Sequence, residues 1–147
     1  MNIHDEDFDL GDFLPYALNQ AAEITSLGFQ RAYKDRYGML RTEWRVLFHL
    51  GRYGDMTARE ICDRSGIHKT KVSRAVKALE AKRFLTRTTL PEDRRNEMLS
   101  VTPQGQRAYI DLRGIARDYD AQVAAMFTPE EQATLRACLR RIMAQGR

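Results

Sequence analysis

The sequence predicts a mainly α-helical fold with one small β-hairpin. Apolar residues recur at spacings of three and four through most of the chain between Leu14 and Ile142, the signature of amphipathic helices. Only the stretch from Phe84 to Val101 switches to the alternating pattern of strands, with the turn sequence LPEDRRN between its halves. A third observation concerns charge. From Thr57 to Val101 there are eleven Lys or Arg against six Asp or Glu, while the rest of the chain holds thirteen bases against fourteen acids. The net charge of +4 is therefore concentrated around the hairpin.

The elements follow in order. A first helix is expected over Leu14–Tyr37, with Leu14, Leu18, Ala21, Ala22, Thr25, Phe29, Ala32 and Tyr33 on its apolar side. Pro15 suits its first turn and Gly38 its end. A second runs from about Thr42, as cap, to Arg52, with Trp44, Leu47, Phe48 and Leu50 inward and Gly51 and Gly54 closing it. Thr57 and Glu60 have capping-box spacing and open a short third helix whose stripe is Ala58, Ile61 and Cys62. Ser65-Gly66 breaks it. A fourth spans about Lys69–Lys82, burying Val72, Ala75, Val76 and Leu79. Strands are expected at Phe84–Thr89 and Glu97–Val101. Thr102-Pro103 caps a long helix reaching about Phe127, with Ala108, Leu112, Ile115, Ala116, Tyr119, Val123, Met126 and Phe127 as its stripe. Thr128, Pro129 and Glu131 repeat the start signal for a last helix carrying Leu135, Cys138, Leu139 and Ile142.

Composition narrows the class. A chain of 147 residues with 43 % hydrophobic residues fits one compact protomer with its own core. No apolar run approaches the roughly 18 residues of a membrane span. The N-terminus MNIHDEDFDLGDF is acidic and lacks the basic start of a secretory signal. Cys62 and Cys138 lie too far apart in sequence for a disulfide framework or a zinc cluster. A reduced, cytoplasmic protein without a cofactor or membrane partner is expected. His4, His49 and His68 have no metal-binding spacing, and no nucleophile elbow or phosphate-binding loop is present, so catalysis is not expected.

The third and fourth helices, joined by a short turn at Gly66, have the spacing of a helix-turn-helix. The fourth turns Lys69, Thr70, Ser73, Arg74 and Lys77 outward, with no acid before Glu80. Such a face fits the DNA major groove, about 12 Å wide, where Arg reads guanine and Lys neutralises phosphate. The hairpin then reads as a wing whose Arg94 and Arg95 enter the adjacent minor groove. Asp93 either orients an Arg side chain or serves as a turn residue, because Pro-Glu-Asp favours a turn in any case.

Three segments resemble the MarR family of bacterial transcription regulators. EWRVLFHL is similar to the family's second helix, and TAREICDRSGIHKTKVSRAVKALEAKRFLTR to its helix-turn-helix and first wing strand. DRRNEMLSVTPQG matches its wing signature at Asp93, Arg95, Val101, Thr102 and Gly105. Val101 stands where the family usually has Leu, and His68 where many members have an acidic or hydroxyl cap, leaving position 68 as cap or phosphate contact.

The resemblance implies a winged helix-turn-helix flanked by N- and C-terminal dimerisation helices. The division is 1–38 for the acidic tail and first dimerisation helix, 39–101 for the DNA-binding lobe, and 102–147 for the remaining dimerisation helices. It implies a homodimer on a near-palindromic double-stranded operator, acting as a repressor that a small, aromatic or phenolic effector releases. Arg36, Tyr37, Trp44 and His49 are candidate effector-lining residues, with core packing the alternative for Trp44. Two rival readings are a thiol-based redox regulator of the same fold and a winged helix that binds protein. No cysteine lies near the start of the first helix, where peroxide-sensing members carry one.

Overall fold

The computed structural model describes residues 7–146, with the side chain of Arg94 outside the description. Asp5 and Glu6 of the acidic tail, and His4, lie outside the described residues. Among the described residues a 3-10 turn at Leu10–Asp12 precedes six α-helices and three strands, in the order α1 (Leu14–Tyr37), α2 (Arg41–Tyr53), β1 (Met56–Thr57), α3 (Ala58–Ser65), α4 (Lys69–Ala81), β2 (Leu85–Leu90), β3 (Asp93–Val101), α5 (Pro103–Ala124) and α6 (Pro129–Ala144). The chain forms two compact units, residues 1–113 and 114–147.

In the first unit, α2 and α4 pack through Val46, Leu47, Leu50, Val72, Ala75, Val76 and Leu79, all buried. Ile61 of α3, Leu85 and Leu99 of the sheet, and Ala108, Tyr109 and Leu112 of α5 close this core. The sheet is antiparallel in the order β1-β3-β2. β1 was not foreseen: Met56 and Thr57 pair with Leu99 and Met98. Two residues are too few to show an alternating pattern, and their pairing depends on β3, more than forty residues on.

The local start and stop signals mostly act as the sequence suggests. Gly38 ends α1 in the left-handed conformation, φ 63°, its N–H bonded to the Lys34 carbonyl. Thr128 and Glu131 form a complete capping box. The box at α3 is only half formed. Thr57 Oγ1 accepts the Glu60 N–H at 3.2 Å, but the Glu60 carboxylate turns to the Thr57 hydroxyl instead of its backbone.

Three expectations for α2 and α5 are corrected. Leu40, not Thr42, is the N-cap of α2, without a side-chain bond. Gly51 lies inside α2, where it allows close approach of the Tyr109 ring rather than ending the helix. α5 stops at Ala124, so Met126 falls beyond it and is exposed.

The Thr102–Gly105 pair has a clear geometric task. Thr102 Oγ1 accepts the Gly105 N–H at 3.0 Å, capping α5, and donates to the Arg83 carbonyl at 2.6 Å. Arg83 follows α4 with φ 63°, a conformation unfavourable for a side-chain-bearing residue. A Cβ on Gly105 would run into the Phe84 carbonyl, so only glycine lets α5 start against the backbone just before β2.

Several expected stripes are not covered within the protomer. α1 buries only Phe29 and Tyr33, while Leu14 is 71 % exposed and Leu18, Ile24 and Leu27 are also open. In the second unit α6 buries nothing; Leu135 and Ile142 are exposed, and Cys138, expected inward, is exposed too.

Candidate nucleic-acid interface

α4 buries Val72, Ala75, Val76 and Leu79, and the same periodicity forces Lys69, Thr70, Ser73, Arg74 and Lys77 outward; all five are exposed. Lys71, also exposed, adds a base missing from the expected set, although its type and position are plain in the sequence. Lys69, Lys71, Arg74 and Lys77 have no carboxylate partner among the described residues. Glu80, the acid at the end of this face, is held by Arg87 of β2, Nε to Oε2 3.1 Å. The face thus presents four free cations and two hydroxyls to solvent, and its acid is paired.

His68 is the N-cap of α4. Its Nδ1 accepts the Thr70 N–H at 3.2 Å. An acceptor Nδ1 requires the proton on Nε2, so the imidazole substitutes for the usual Asp or Ser at a helix start. The ring is exposed, which leaves Nε2–H free to donate outward.

At the wing, β2 and β3 pair regularly from Leu85↔Val101 to Thr89↔Glu97, and then Leu90 pairs with Asp93. Pro91 and Glu92 make the turn, and Arg94, Arg95 and Asn96 form a bulge opposite no partner. The Asp93 carboxylate sits inside this bulge. Oδ1 accepts the Arg95 N–H at 3.0 Å, and Oδ2 accepts from the Asn96 side-chain amide at 2.9 Å. Of the two roles open to Asp93, the bond to Arg95 is to that residue's backbone and not to its guanidinium, and Arg95 stays exposed. Asn96, the other partner, is not among the residues that the charge pattern of the sequence marks.

The four candidate effector residues fall into separate settings. Arg36 and Tyr37 converge on Asp111 of α5. The Arg36 guanidinium reaches both carboxylate oxygens at 3.1 and 3.2 Å, and the Tyr37 hydroxyl donates to Oδ2 at 2.6 Å. Burial, with the Asp111 hydrogen bond and charge, pushes the Tyr37 phenol up to about 12, so it remains a donor at neutral pH. Trp44, half-buried, stands among Phe29, Tyr33 and Phe48, with ring centroids 5.0, 5.9 and 5.7 Å away. His49 Nδ1 donates to the Arg45 carbonyl at 2.7 Å, and its ring lies beside Tyr53. Asp111 was not foreseen, because nothing local marks a carboxylate that meets partners some 75 residues away.

Among the described residues no group of His, Cys, Asp and Glu could hold a metal ion, and no helix is long and apolar enough to cross a membrane. Burial, then the neighbouring Asp63, raises the Cys62 thiol above its ordinary value and disfavours thiolate.

Two short helices joined at Gly66, the second basic on its outer face and followed by an antiparallel hairpin, define a winged helix-turn-helix. The MarR-family profile matches residues 37–96, from the last residue of α1 to the wing. Through this lobe the chain is similar to the MarR family of transcriptional regulators.

It is 29 % identical over 106 residues to YwaE, an HTH-type transcriptional regulator of Bacillus subtilis, covering 72 % of this chain and 62 % of that protein. It thus spans less than two thirds of YwaE's length. Over 135 residues it is 24 % identical to the homoprotocatechuate degradative operon repressor of Escherichia coli, covering 92 % of this chain and 90 % of the other. A MarR/EmrR-family regulator from Acinetobacter sp. ADP1 superposes with a TM-score of 0.83 at 27 % identity, covering 94 % of this chain and 97 % of that one.

Proposed function

We propose that the protein is a homodimeric, sequence-specific DNA-binding repressor whose hold on its operator a small aromatic or phenolic effector weakens. The observation that carries the DNA reading is the α4 face, whose cations are exposed and unpaired while its single acid is neutralised by Arg87. Lys69, Thr70, Ser73, Arg74 and Lys77 enter the major groove, His68 caps that helix and donates to a phosphate, and Arg94 and Arg95 enter the minor groove.

Dimerisation is supported by the uncovered apolar residues of α1 and α6, Leu14, Ile24, Leu27, Leu135 and Ile142 among them. On this reading residues 1–38 and 102–147 dimerise and 39–101 binds DNA, each protomer taking half of a near-palindromic site. The repressor role and the aromatic effector are supported by the relative named for repression of a homoprotocatechuate degradative operon, homoprotocatechuate being a phenolic acid. Trp44 among Phe29, Tyr33 and Phe48 provides aromatic surface, and Arg36 and Tyr37 provide donors for a carboxylate, with His49 one turn further along α2. A place in the cytoplasm follows from this role.

The test is fluorescence anisotropy with a duplex enriched from a random 30-bp library on the wild-type protein, against unselected duplex of equal length. The expected result is tighter binding to the enriched duplex, weakening steeply as salt rises. Equal affinity for both duplexes, or binding insensitive to salt, overturns the proposal.

A further inference from the structure

Glu43 is buried, 5 % exposed, in the first turn of α2, on the helix face turned toward α4. Its carboxylate meets Lys82 Nζ at 3.4 Å. Lys82 is the C-cap of α4, immediately beyond the last turn of the basic helix. A buried carboxylate is unfavourable without a partner, so this pair holds the end of α4 to α2 at a definite position.

Two further bonds meet the same end of the helix. Glu80 is tied to Arg87 of β2, and the Arg83 carbonyl to the Thr102 hydroxyl before α5. At the opposite end of α4, Val72 packs into the core and α3 lies alongside, but the side-chain hydrogen bond among the described residues is the helix's own His68 cap. The polar ties of α4 to other elements are therefore gathered at its C-terminal end, while Lys69, Thr70 and Ser73 near its start are exposed.

We propose that Glu43 is a positioning residue for base recognition, acting through Lys82 to fix the angle at which α4 meets DNA. The inference rests on the reading of α4 as a recognition helix. At 1.5 Å per residue, Arg74 lies about 12 Å and Thr70 about 18 Å along the helix from Lys82. A tilt of about 5° at the anchor would move Thr70 by roughly 1.6 Å, more than a hydrogen bond to a base edge tolerates. Phosphate contacts by flexible Lys side chains tolerate it. Loss of the tie should therefore reduce preference for the correct sequence more than affinity for DNA in general. Removal of a phosphate-contacting base such as Lys77 does not have that effect: it weakens every sequence alike.

The experiment compares full-length wild type, Glu43→Gln, Lys82→Met and the double variant on the enriched duplex and on unselected duplex at one salt concentration. Melting temperatures are measured alongside. The expected result is a fall of at least tenfold in the enriched-to-unselected affinity ratio for each single variant. The double variant should be no worse than the worse single one, because both changes cut the same tie. Glu43→Asp, which keeps the charge on a shorter arm, should recover part of the ratio. A ratio unchanged from wild type in folded single variants overturns the inference, as does additive loss in the double variant. Failure of the wild type to prefer any enriched duplex overturns instead the DNA-binding reading beneath it.

Discussion

Replacing Gly51 with alanine sets two effects of opposite sign against each other. Alanine is favoured over glycine inside a helix by about 1 kcal/mol, so the local prediction is stabilisation. The tertiary structure predicts the reverse. A Cβ at position 51 would stand 2.6 Å from Cδ1 and Cδ2 of Tyr109, and closer still to Cγ, where carbon contacts normally need about 3.5–4.0 Å. Tyr109 cannot withdraw easily. It is 3 % exposed, the Phe48 ring lies against it at 5.5 Å, and the Arg113 guanidinium is 5.3 Å from its centroid. Overpacking a core costs about 1–3 kcal/mol, and overlap with three ring carbons belongs at the upper end. The net expectation for Gly51→Ala is a loss of about 1–2 kcal/mol, which lowers the melting temperature by roughly 2–8 °C in a chain of this size. Thermal unfolding followed by circular dichroism measures it. Gly114→Ala is the internal control, since a Cβ there meets nothing within 4 Å and its φ is ordinary for a helix. That variant should gain about 0.5–1 kcal/mol. In a Tyr109→Leu background the Gly51→Ala penalty should shrink or vanish. If Gly51→Ala raises the melting temperature as Gly114→Ala does, α5 does not approach α2 as closely as described.

Asp93→Asn removes a negative charge beside DNA, so electrostatics alone predicts tighter binding. Because the carboxylate organises Arg95 and Asn96 in the bulge, the expected result is weaker binding at fixed salt, and tighter binding would reduce Asp93 to a turn former. Arg74→Ala should cost about 1–3 kcal/mol on the enriched duplex and relax base preference, whereas Lys77→Ala should weaken all duplexes alike; identical behaviour of the two variants would contradict their assigned roles. The Tyr37 phenol has a folded pKa of about 12 against 10.0 unfolded, so its share of stability is complete below pH 10 and is lost as pH rises toward 12. Denaturant midpoints should therefore fall less steeply over that range in Tyr37→Phe than in wild type, and parallel curves would refute the coupling to Asp111. Peroxide should not release DNA, because the Cys62 thiol is pushed up and no cysteine lies near the start of α1. A release abolished by Cys62→Ser and Cys138→Ser would show otherwise.

The sequence alone determined the features that depend on near neighbours. The Thr128–Glu131 box, the left-handed Gly38 and Gly66, and the stripe Val72–Ala75–Val76–Leu79 each involve residues within a turn or two of one another. A helix with that stripe has no other face for Lys69, Ser73 and Arg74 than the outside, so the candidate interface is legible in the spacing alone. Tertiary structure alone decided where distant polar groups meet. Glu43 and Lys82 are 39 residues apart and Tyr37 and Asp111 are 74 apart, and nothing beside any of them in sequence marks the partner. β1 exists only because β3 offers it a ladder, and Gly51 reads as a helix end until Tyr109 is seen to occupy the space its side chain would need. Likewise Asp93 is a turn residue by composition, and only the three-residue bulge between the Thr89 and Leu90 pairings brings its carboxylate under the Arg95 amide. Caps and stripes are written in spacing along the chain, whereas anchors, close approaches and bulges arise from packing between elements that the chain brings together only on folding.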